Sequence, residues 1–440
     1  MNHSPKWRAL LRGFSVSAAL RIGRLVISLV IASCLARHVG QSGFGQLMVA
    51  MSLMSVLLCV SELGFNRITV RELVKDDATA WETLGATFYS RLMLGGLLYA
   101  GVAAYALLAQ PEHAALLLIY GALLLTHAGT EVMAWFEAKQ CVERVALAQF
   151  AGFGISAVFI FAGLLWDAPL WFFALTYNIE CWAALLLVLA TFHKLGGRMK
   201  PWRWSWSRAS ALVRESWFEL ASQLALLLLF RLDTIMVEAI RGQEEAGIYG
   251  AAVRVSEVVY FIPVILSSVC LPALIELRKV DPIRYRSRFA DYFALSLLVA
   301  VPCAAGVALA APLVVSVLYG AEFAPSARIL MIHAWSFIPY ALGVARTQYL
   351  TAEGRLWVNL PSVLLALAVN VVLNFCWIGR WSGEGAAWAT LIAYTVAWVG
   401  TSFALPAARD ISSLILQSLA QMPMFIAQSW QRLRVAATRG

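Results

Sequence analysis

Charge is what this chain has least of. Asp, Glu, Lys and Arg make up 13% of its 440 residues, whereas 61% are hydrophobic, and mean hydropathy is +0.74. So little charge over so great a length excludes an ordinary soluble domain and leaves an integral membrane protein. Paired cysteine spacing is also lacking. The seven cysteines are scattered singly through apolar segments, with no CxxC or His-linked pattern to suggest zinc or redox chemistry. No Walker GxxxxGK[ST], HExxH, GxSxG or EF-hand loop occurs, which argues against ATP hydrolysis by that route and against the commonest hydrolase and calcium sites. The short charged N-terminus leads directly into a charged first span, so no cleavable signal peptide is expected.

What is present is a succession of apolar stretches long enough to span a bilayer, each needing about 20 residues. Twelve are expected, near 14–36, 46–66, 83–108, 113–137, 142–166, 168–192, 216–240, 246–275, 289–310, 325–352, 357–379 and 384–406. Lysine and arginine orient them, because positive loops are retained in the cytoplasm. With the N-terminus inside, the inner segments hold 23 of the 34 basic residues, and the outer connections hold only Arg37, Arg241 and Arg380. Both termini are therefore expected to be cytoplasmic. The net charge of +9 then reflects topology rather than nucleic-acid binding. The outer connections are too short for an extracytoplasmic catalytic domain, so the chain is not expected to be an enzyme.

Four regions follow: a six-helix lobe over 1–193, a basic cytoplasmic interlobe loop over 194–215, a second six-helix lobe over 216–406, and an amphipathic cytoplasmic tail over 407–440. The loop interleaves Trp202, Arg203, Trp204 and Trp206, which suits a segment at headgroup level. In the tail, Leu414, Ile415, Leu419, Met422, Phe425 and Ile426 recur near helical spacing, which suits an interfacial helix. Short matches link the halves. An offset of 204 aligns Gly43 with Gly247, Ser52 with Ser256, and Glu72-Leu73 with Glu276-Leu277. Because six spans is an even number, such a repeat is parallel, about an axis along the membrane normal. The expected fold is an all-α polytopic membrane protein of twelve transmembrane helices, in two pseudo-symmetric six-helix lobes around a central cavity. Pro263, Pro272, Pro302, Pro312 and Pro339 would kink the second half.

The few charges inside spans are the candidates for function. On the first span Ser17, Arg21, Arg24 and Ser28 form one polar stripe at helical spacing. A guanidinium at mid-bilayer costs at least about 2.5–3.5 kcal/mol, so the stripe must face water or protein. Arginine keeps its charge when desolvated and recognises phosphate or carboxylate bidentately. Arg21 could instead snorkel to headgroups, and Arg24 could be either a cavity residue or a structural ion-pair partner. Span seven carries Arg231, Asp233 and Glu238, and span eight Arg254 and Glu257. Asp233 and Arg254 lie at similar depths, as either a structural pair or a coupling and gating element. Arg91, Arg346, Asn370 and Asn374 are further cavity candidates, and Glu131, Glu180, His127 and His333 are other polar residues within spans. No metal site and no resident cofactor is expected.

Several short motifs, in order and at characteristic intervals, resemble the polysaccharide and O-antigen flippases of the multidrug/oligosaccharidyl-lipid/polysaccharide (MOP) exporter superfamily. They include Leu35-Ala36-Arg37-His38-Val39-Gly40 followed by Gly43-Phe44-Gly45, then Val70-Arg71-Glu72-Leu73-Val74 and Arg231-Leu232-Asp233. The longest is Ala246-Gly247-Ile248-Tyr249-Gly250-Ala251-Ala252-Val253-Arg254-Val255-Ser256-Glu257, followed by Pro263. Arg346-Thr347-Gln348-Tyr349-Leu350 and Gly385-Ala386-Ala387-Trp388-Ala389-Thr390 complete the set, so the resemblance covers nearly the whole chain.

The resemblance implies a bacterial inner-membrane flippase that moves a polyprenyl-diphosphate-linked oligosaccharide, such as an O-antigen or exopolysaccharide repeat, to the outer leaflet by alternating access through a cationic cavity. It implies coupling to an H+ or Na+ gradient or to the membrane potential, and polysaccharide polymerase machinery and the lipid bilayer as partners, with no nucleic acid. An ion-coupled drug or metabolite exporter is the alternative, and would show acidic cavity residues. A glycan polymerase or ligase would need a large outer loop that the chain lacks.

Overall fold

The computed structural model describes residues 5–75, 77–109, 112–197 and 202–422, with side chains from Leu20 onward except Arg21 and residues 77–79. Among these residues the chain is helical and forms no strand, because inside a bilayer a helix satisfies every backbone N–H and C=O within one segment. Eleven helices cover most of it: α1 (Pro5–Ser61), α2 (Phe65–Lys75), α3 (Asp77–Ala109), α4 (Ala114–Ala138), α5 (Val142–Leu165), α6 (Leu170–Lys194), α7 (Trp206–Arg241), α8 (Gln243–Val280), α9 (Pro282–Tyr319), α10 (Ser326–Ala352) and α11 (Leu356–Ala404). A twelfth, α12, occupies 409–422. Large apolar side chains point outward along them, among them Leu108 (86% exposed), Leu165, Leu309 and Phe375, as a lipid-facing surface requires.

Among the described residues ten helices are long and apolar enough to cross a membrane. Two of these are bent. The first breaks at Gly40, where φ is +70°, and α11 breaks at Ser382, where φ is +50°. Each bend separates two expected spans without an intervening loop, so the arrangement is compatible with twelve apolar segments. The left-handed conformation suits Gly40, but it is strained for a serine. Proline does not mark these breaks: α9 continues through Pro302 and Pro312.

Residues 1–250 and 251–440 form two compact units. Their boundary lies within α8, well past the 194–215 loop expected to divide the lobes, because α7 is fastened to the first unit. Arg71 on α2 meets Glu215 at 2.5 Å, Arg208 meets Glu72 at 2.8 Å, and Arg67 meets Glu219 at 3.4 Å. Gly64 lets the backbones touch, since a Cβ there would lie 2.7 Å from the nitrogen of Leu220. The loop itself departs from a uniform headgroup-level segment. Trp202 is buried against Leu84, Phe88 and Phe192, and Gly85 leaves room for the backbone of Arg203, whereas Trp204 and Trp206 stay exposed. Loss of apolar area to water outweighs the amphipathic preference of that one indole.

Within the first unit, α1 and the start of α8 cross at backbone contact. A Cβ on Gly45 would lie 1.8 Å from the carbonyl oxygen of Gln243, and one on Gly247 would lie 2.0 Å from that of Gln41. Small residues permit such crossings between helices in lipid. The side chain of Gln243 ties the same place together, accepting from Gln46 at 2.7 Å and donating to Glu112 at 2.6 Å.

In the second unit, α12 is packed against protein rather than lying free at an interface. Ile411, Leu414 and Ile415 join Tyr285, Phe289 and Phe293 of α9 in one buried cluster. Asp410 anchors it: Arg355 pairs with its carboxylate and also donates to the carbonyl of Ala407 at 3.0 Å, while the Tyr349 hydroxyl donates to Asp410 at 2.9 Å. Pro423, Phe425 and Ile426 lie outside the described residues.

Two outcomes are expected. Gly45→Ala should destabilise the protein by about 1–3 kcal/mol or more through overpacking, read as a lowered Tm in detergent, whereas Gly96→Ala, with nothing within 4 Å, should not. A wild-type Tm for Gly45→Ala would show that the crossing yields freely. The second outcome concerns pH. Burial raises the Asp410 carboxyl, but hydrogen bonds from Arg355 and Tyr349 outweigh it and hold the group below the 3.8 of an unperturbed aspartate. The stabilisation is then complete above pH 3.8 and is lost as pH falls through the lower folded value. Amide exchange across 409–422 should accelerate over that acid window in the wild type, and Asp410→Asn should remove this step. Identical profiles for the two proteins would refute the linkage.

Candidate functional site

A cavity of about 220 Å3 opens in the first unit, walled by α1, α4, α5 and α6. Its polar lining includes Arg24, His127, Thr130, Gln149, Tyr177 and Glu180. Local structure explains how each arrives there. At its middle α4 tightens to a 3-10 helix over His127–Glu131. Three residues per turn place His127 and Thr130 on one side and turn Glu131 about 120° away. Gly152 brings α5 against α6, since a Cβ there would lie 2.7 Å from the carbonyl oxygen of Glu180. Ser156 then donates to the carbonyl of Thr176 at 2.9 Å.

Arg24 projects from α1 into this space and forms an ion pair with Glu180 of α6, its guanidinium 5.5 Å from the centre of the Phe153 ring. Both sequence readings of Arg24, cavity residue and ion-pair partner, therefore hold together. The Arg24 side chain remains 38% exposed, so it can exchange partners. Glu180 was visible in the sequence as a polar residue within a span, but nothing in its spacing linked it to Arg24, 156 positions away. Glu180 is an acidic cavity residue of the kind a cation exporter would show.

Behind the cavity wall lies a second charged group. Arg91 of α3 is 1% exposed, and its Nε lies 2.5 Å from Oε1 of Glu131. It donates to Asn66 at 3.0 Å and to Thr130 at 3.3 Å. His127 approaches Glu62 at 3.5 Å. Arg91 thus braces the wall through Thr130 and does not itself line the cavity. Sequence reasoning missed Glu62, Asn66, Gln149 and Tyr177. Their signal is polarity within otherwise apolar helices, which Thr and Ser residues there share.

The second unit places Arg346 on α10 with no exposed surface. Its guanidinium donates to Asn359 at 2.8 Å and to Ser362 at 2.8 Å, and among the described residues it meets no carboxylate. Asn374 donates to Asn370 at 3.1 Å, both fully buried on α11. His333 is a buried, hydrogen-bonded residue, 2.7 Å from the hydroxyl of Ser256.

Of the expected coupling residues, Arg231 and Asp233 belong to the first unit, where Asp233 accepts from the Tyr249 hydroxyl at 3.0 Å. Arg254 and Glu257 belong to the second unit. The side chain of Arg21 lies outside the described residues. No group of three or more metal-ligating side chains occurs among the described residues.

The family model "Polysaccharide biosynthesis protein" matches residues 10–278, and the model "Lipid II flippase MurJ" matches residues 150–431. No curated protein matches the chain. Among solved structures, a lipid II flippase MurJ in an inward closed conformation aligns with a TM-score of 0.69 at 13% identity, over 94% of this chain and 92% of that one. An inward-facing multidrug resistance MATE family transporter aligns with a TM-score of 0.72 at 12% identity, over 94% and 99%. A MOP superfamily transporter from Pyrococcus furiosus, described by the reverse polarity of its binding pocket, aligns with a TM-score of 0.56 at 14% identity, over 89% and 96%. At these identities the structures establish the fold. With both family models matching more than half its length, the chain belongs to the polysaccharide biosynthesis protein family of the MOP exporter superfamily and is a multi-pass membrane transporter.

Proposed function

We propose that this protein is a flippase for a polyprenyl-diphosphate-linked oligosaccharide, carrying it from the cytoplasmic to the outer leaflet of a bacterial inner membrane by alternating access. One observation carries the reading: Arg24 stands in a cavity within the membrane-spanning part, partly exposed and, among the described residues, paired with the Glu180 carboxylate. A diphosphate headgroup offers two acceptor groups with more negative charge than Glu180, and arginine binds such groups in a fork. Tyr177, Gln149 and Thr130 supply polar contacts at the same place. The buried, carboxylate-free Arg346 supports the same substrate class. Such a charge costs free energy in a bilayer protein, and residues of this kind mark substrate paths. No covalent chemistry is required of the chain.

Arg24→Ala should abolish surface glycan display while the protein inserts and folds, and Arg24→Lys should restore part of it. Glu180→Gln should raise affinity for polyprenyl diphosphate about tenfold, because the competitor for Arg24 is gone. Normal display with Arg24→Ala would overturn the role given to it. The Glu180 carboxylate also favours a second reading, a cation exporter. In that case Glu180→Gln would abolish cation export and leave lipid-linked glycan on the cytoplasmic leaflet unchanged.

Arg346 separates function from structure. Asn359 keeps its bond to Thr347 at 3.2 Å and Ser362 its bond to the Val358 carbonyl at 2.9 Å when the guanidinium is removed. Removing an uncompensated buried charge offsets the about 1–3 kcal/mol lost when the Asn359 Oδ1 is left without its donor. Arg346→Met should therefore change the Tm little and still lose display. Retained display would make Arg346 a structural residue.

A further inference from the structure

A second cavity, of about 270 Å3, lies at the basic end of the first unit, lined by Leu73, Ala80, Trp81, Trp135, Ala138, Lys139 and Gly196. We propose that it binds a single neutral pyranose ring of the glycan, a sugar subsite distinct from the Arg24 cavity; this rests on the flippase reading above. Three features point to that ligand.

The first is the aromatic wall. Trp81 and Trp135 both pack edge-on against Phe192, with ring centres 6.3 and 5.1 Å away, which holds the two indoles in place beside the cavity. A pyranose has a face of C–H groups that gains dispersion and loses water when it lies on such a ring.

The second is the polar rim. The C-terminal ends of α4 and α6 lie at this cavity. The end of α4 is capped by a bond from the Cys141 nitrogen to the Phe136 carbonyl at 2.8 Å, and the end of α6 by one from the Gly197 nitrogen to the Phe192 carbonyl at 2.9 Å, with Gly196 at φ +86°. Backbone carbonyls lie at both ends, and the Lys139 ammonium lies at the rim. A polyol can donate hydroxyls to carbonyls and accept from an ammonium, so a sugar finds both kinds of partner here.

The third is size. Drug-sized ligands occupy sites of about 300–1,000 Å3, so this cavity has room for one ring rather than an oligosaccharide. Its rim carries Lys139 and neighbours Lys75 and Lys194, the charge pattern of a cytoplasmic face. There a lipid-linked glycan would present its sugars before transport.

The experiment uses the full-length protein in nanodiscs, titrated with undecaprenyl diphosphate, bare or bearing one N-acetylglucosamine or one galactose. The wild type should bind at least one sugar-bearing lipid about tenfold more tightly than the bare lipid. In Trp81→Leu, Trp135→Leu and Lys139→Gln that preference should fall to about onefold. Arg24→Ala should weaken binding of all three lipids yet keep the preference.

No sugar preference in the wild type would overturn the proposal, as would a preference that survives all three cavity substitutions. An equal loss of affinity for bare and sugar-bearing lipid in those variants would assign the cavity to the phosphate and refute a neutral ring. If no diphosphate lipid binds at all, the flippase reading fails too. Circular dichroism and Tm of each variant separate these results from misfolding. Where a Trp→Leu variant does not fold, Trp81→Phe and Trp135→Phe keep the core contact and should show a partial loss.

Discussion

A guanidinium does not give up its charge inside a membrane, so each arginine within a span must be answered by a partner, and the kind of partner decides what that arginine can do. Arg91 is answered by Glu131, Asn66 and Thr130 with almost no water contact. Breaking a buried pair of that kind costs about 3–5 kcal/mol, which makes it a brace for the α2, α3 and α4 packing. Arg24 is answered by one carboxylate and stays partly open to a cavity. Exposed pairs are worth only about 0–1 kcal/mol, and this one lies between the two limits. It is strong enough to hold the charge at rest and weak enough to be exchanged. Arg346 is answered by neutral oxygens only, so its charge persists without compensation among the described residues. The three arginines look alike in sequence and differ through their surroundings.

The fold was legible because its causes are local in sequence. Apolar runs of about 20 residues specify spans one at a time, and the expected boundaries fall close to the ends of α3, α4, α5 and α6. The bends at Gly40 and Ser382 also fall where the expected spans meet. What was not legible depends on tertiary contact. Nothing in Trp202 itself distinguishes a headgroup indole from one seated on Phe88 and Phe192. The tail helix reads as interfacial from its periodicity, and only the Asp410 anchor shows that its apolar face is covered by α9. The unit boundary at Gly250 follows from pairs such as Arg71 with Glu215, too far apart in the chain to be read together.

The candidate site divides along the same line. Arg24 stood out because a charged residue in an apolar helix is costly on any account. Glu180 and His127 were seen only as polar residues in spans, and their convergence on Arg24 depends on the Gly152 contact and on the 3-10 turn of α4. Arg91 carried the same signal as Arg24 and has the opposite use. Charge within a span therefore identifies residues that need a partner, without telling a ligand's partner from a helix's.

If the proposed flippase reading holds, the pair that holds Arg24 sets a condition on the cargo. An anion weaker than a carboxylate leaves Glu180 in place, and one that binds too strongly is never released to the far leaflet. A diphosphate satisfies the first requirement through its higher charge and bidentate geometry. Release follows if Glu180 remains close enough to reclaim the guanidinium, because the returning carboxylate then offsets the cost of an unpaired buried cation. On the proposed flippase reading, Arg24 and Glu180 would act as one exchange element: the acid that neutralises the cavity at rest would also displace the cargo, and a cavity lined by arginine alone would bind its lipid and retain it.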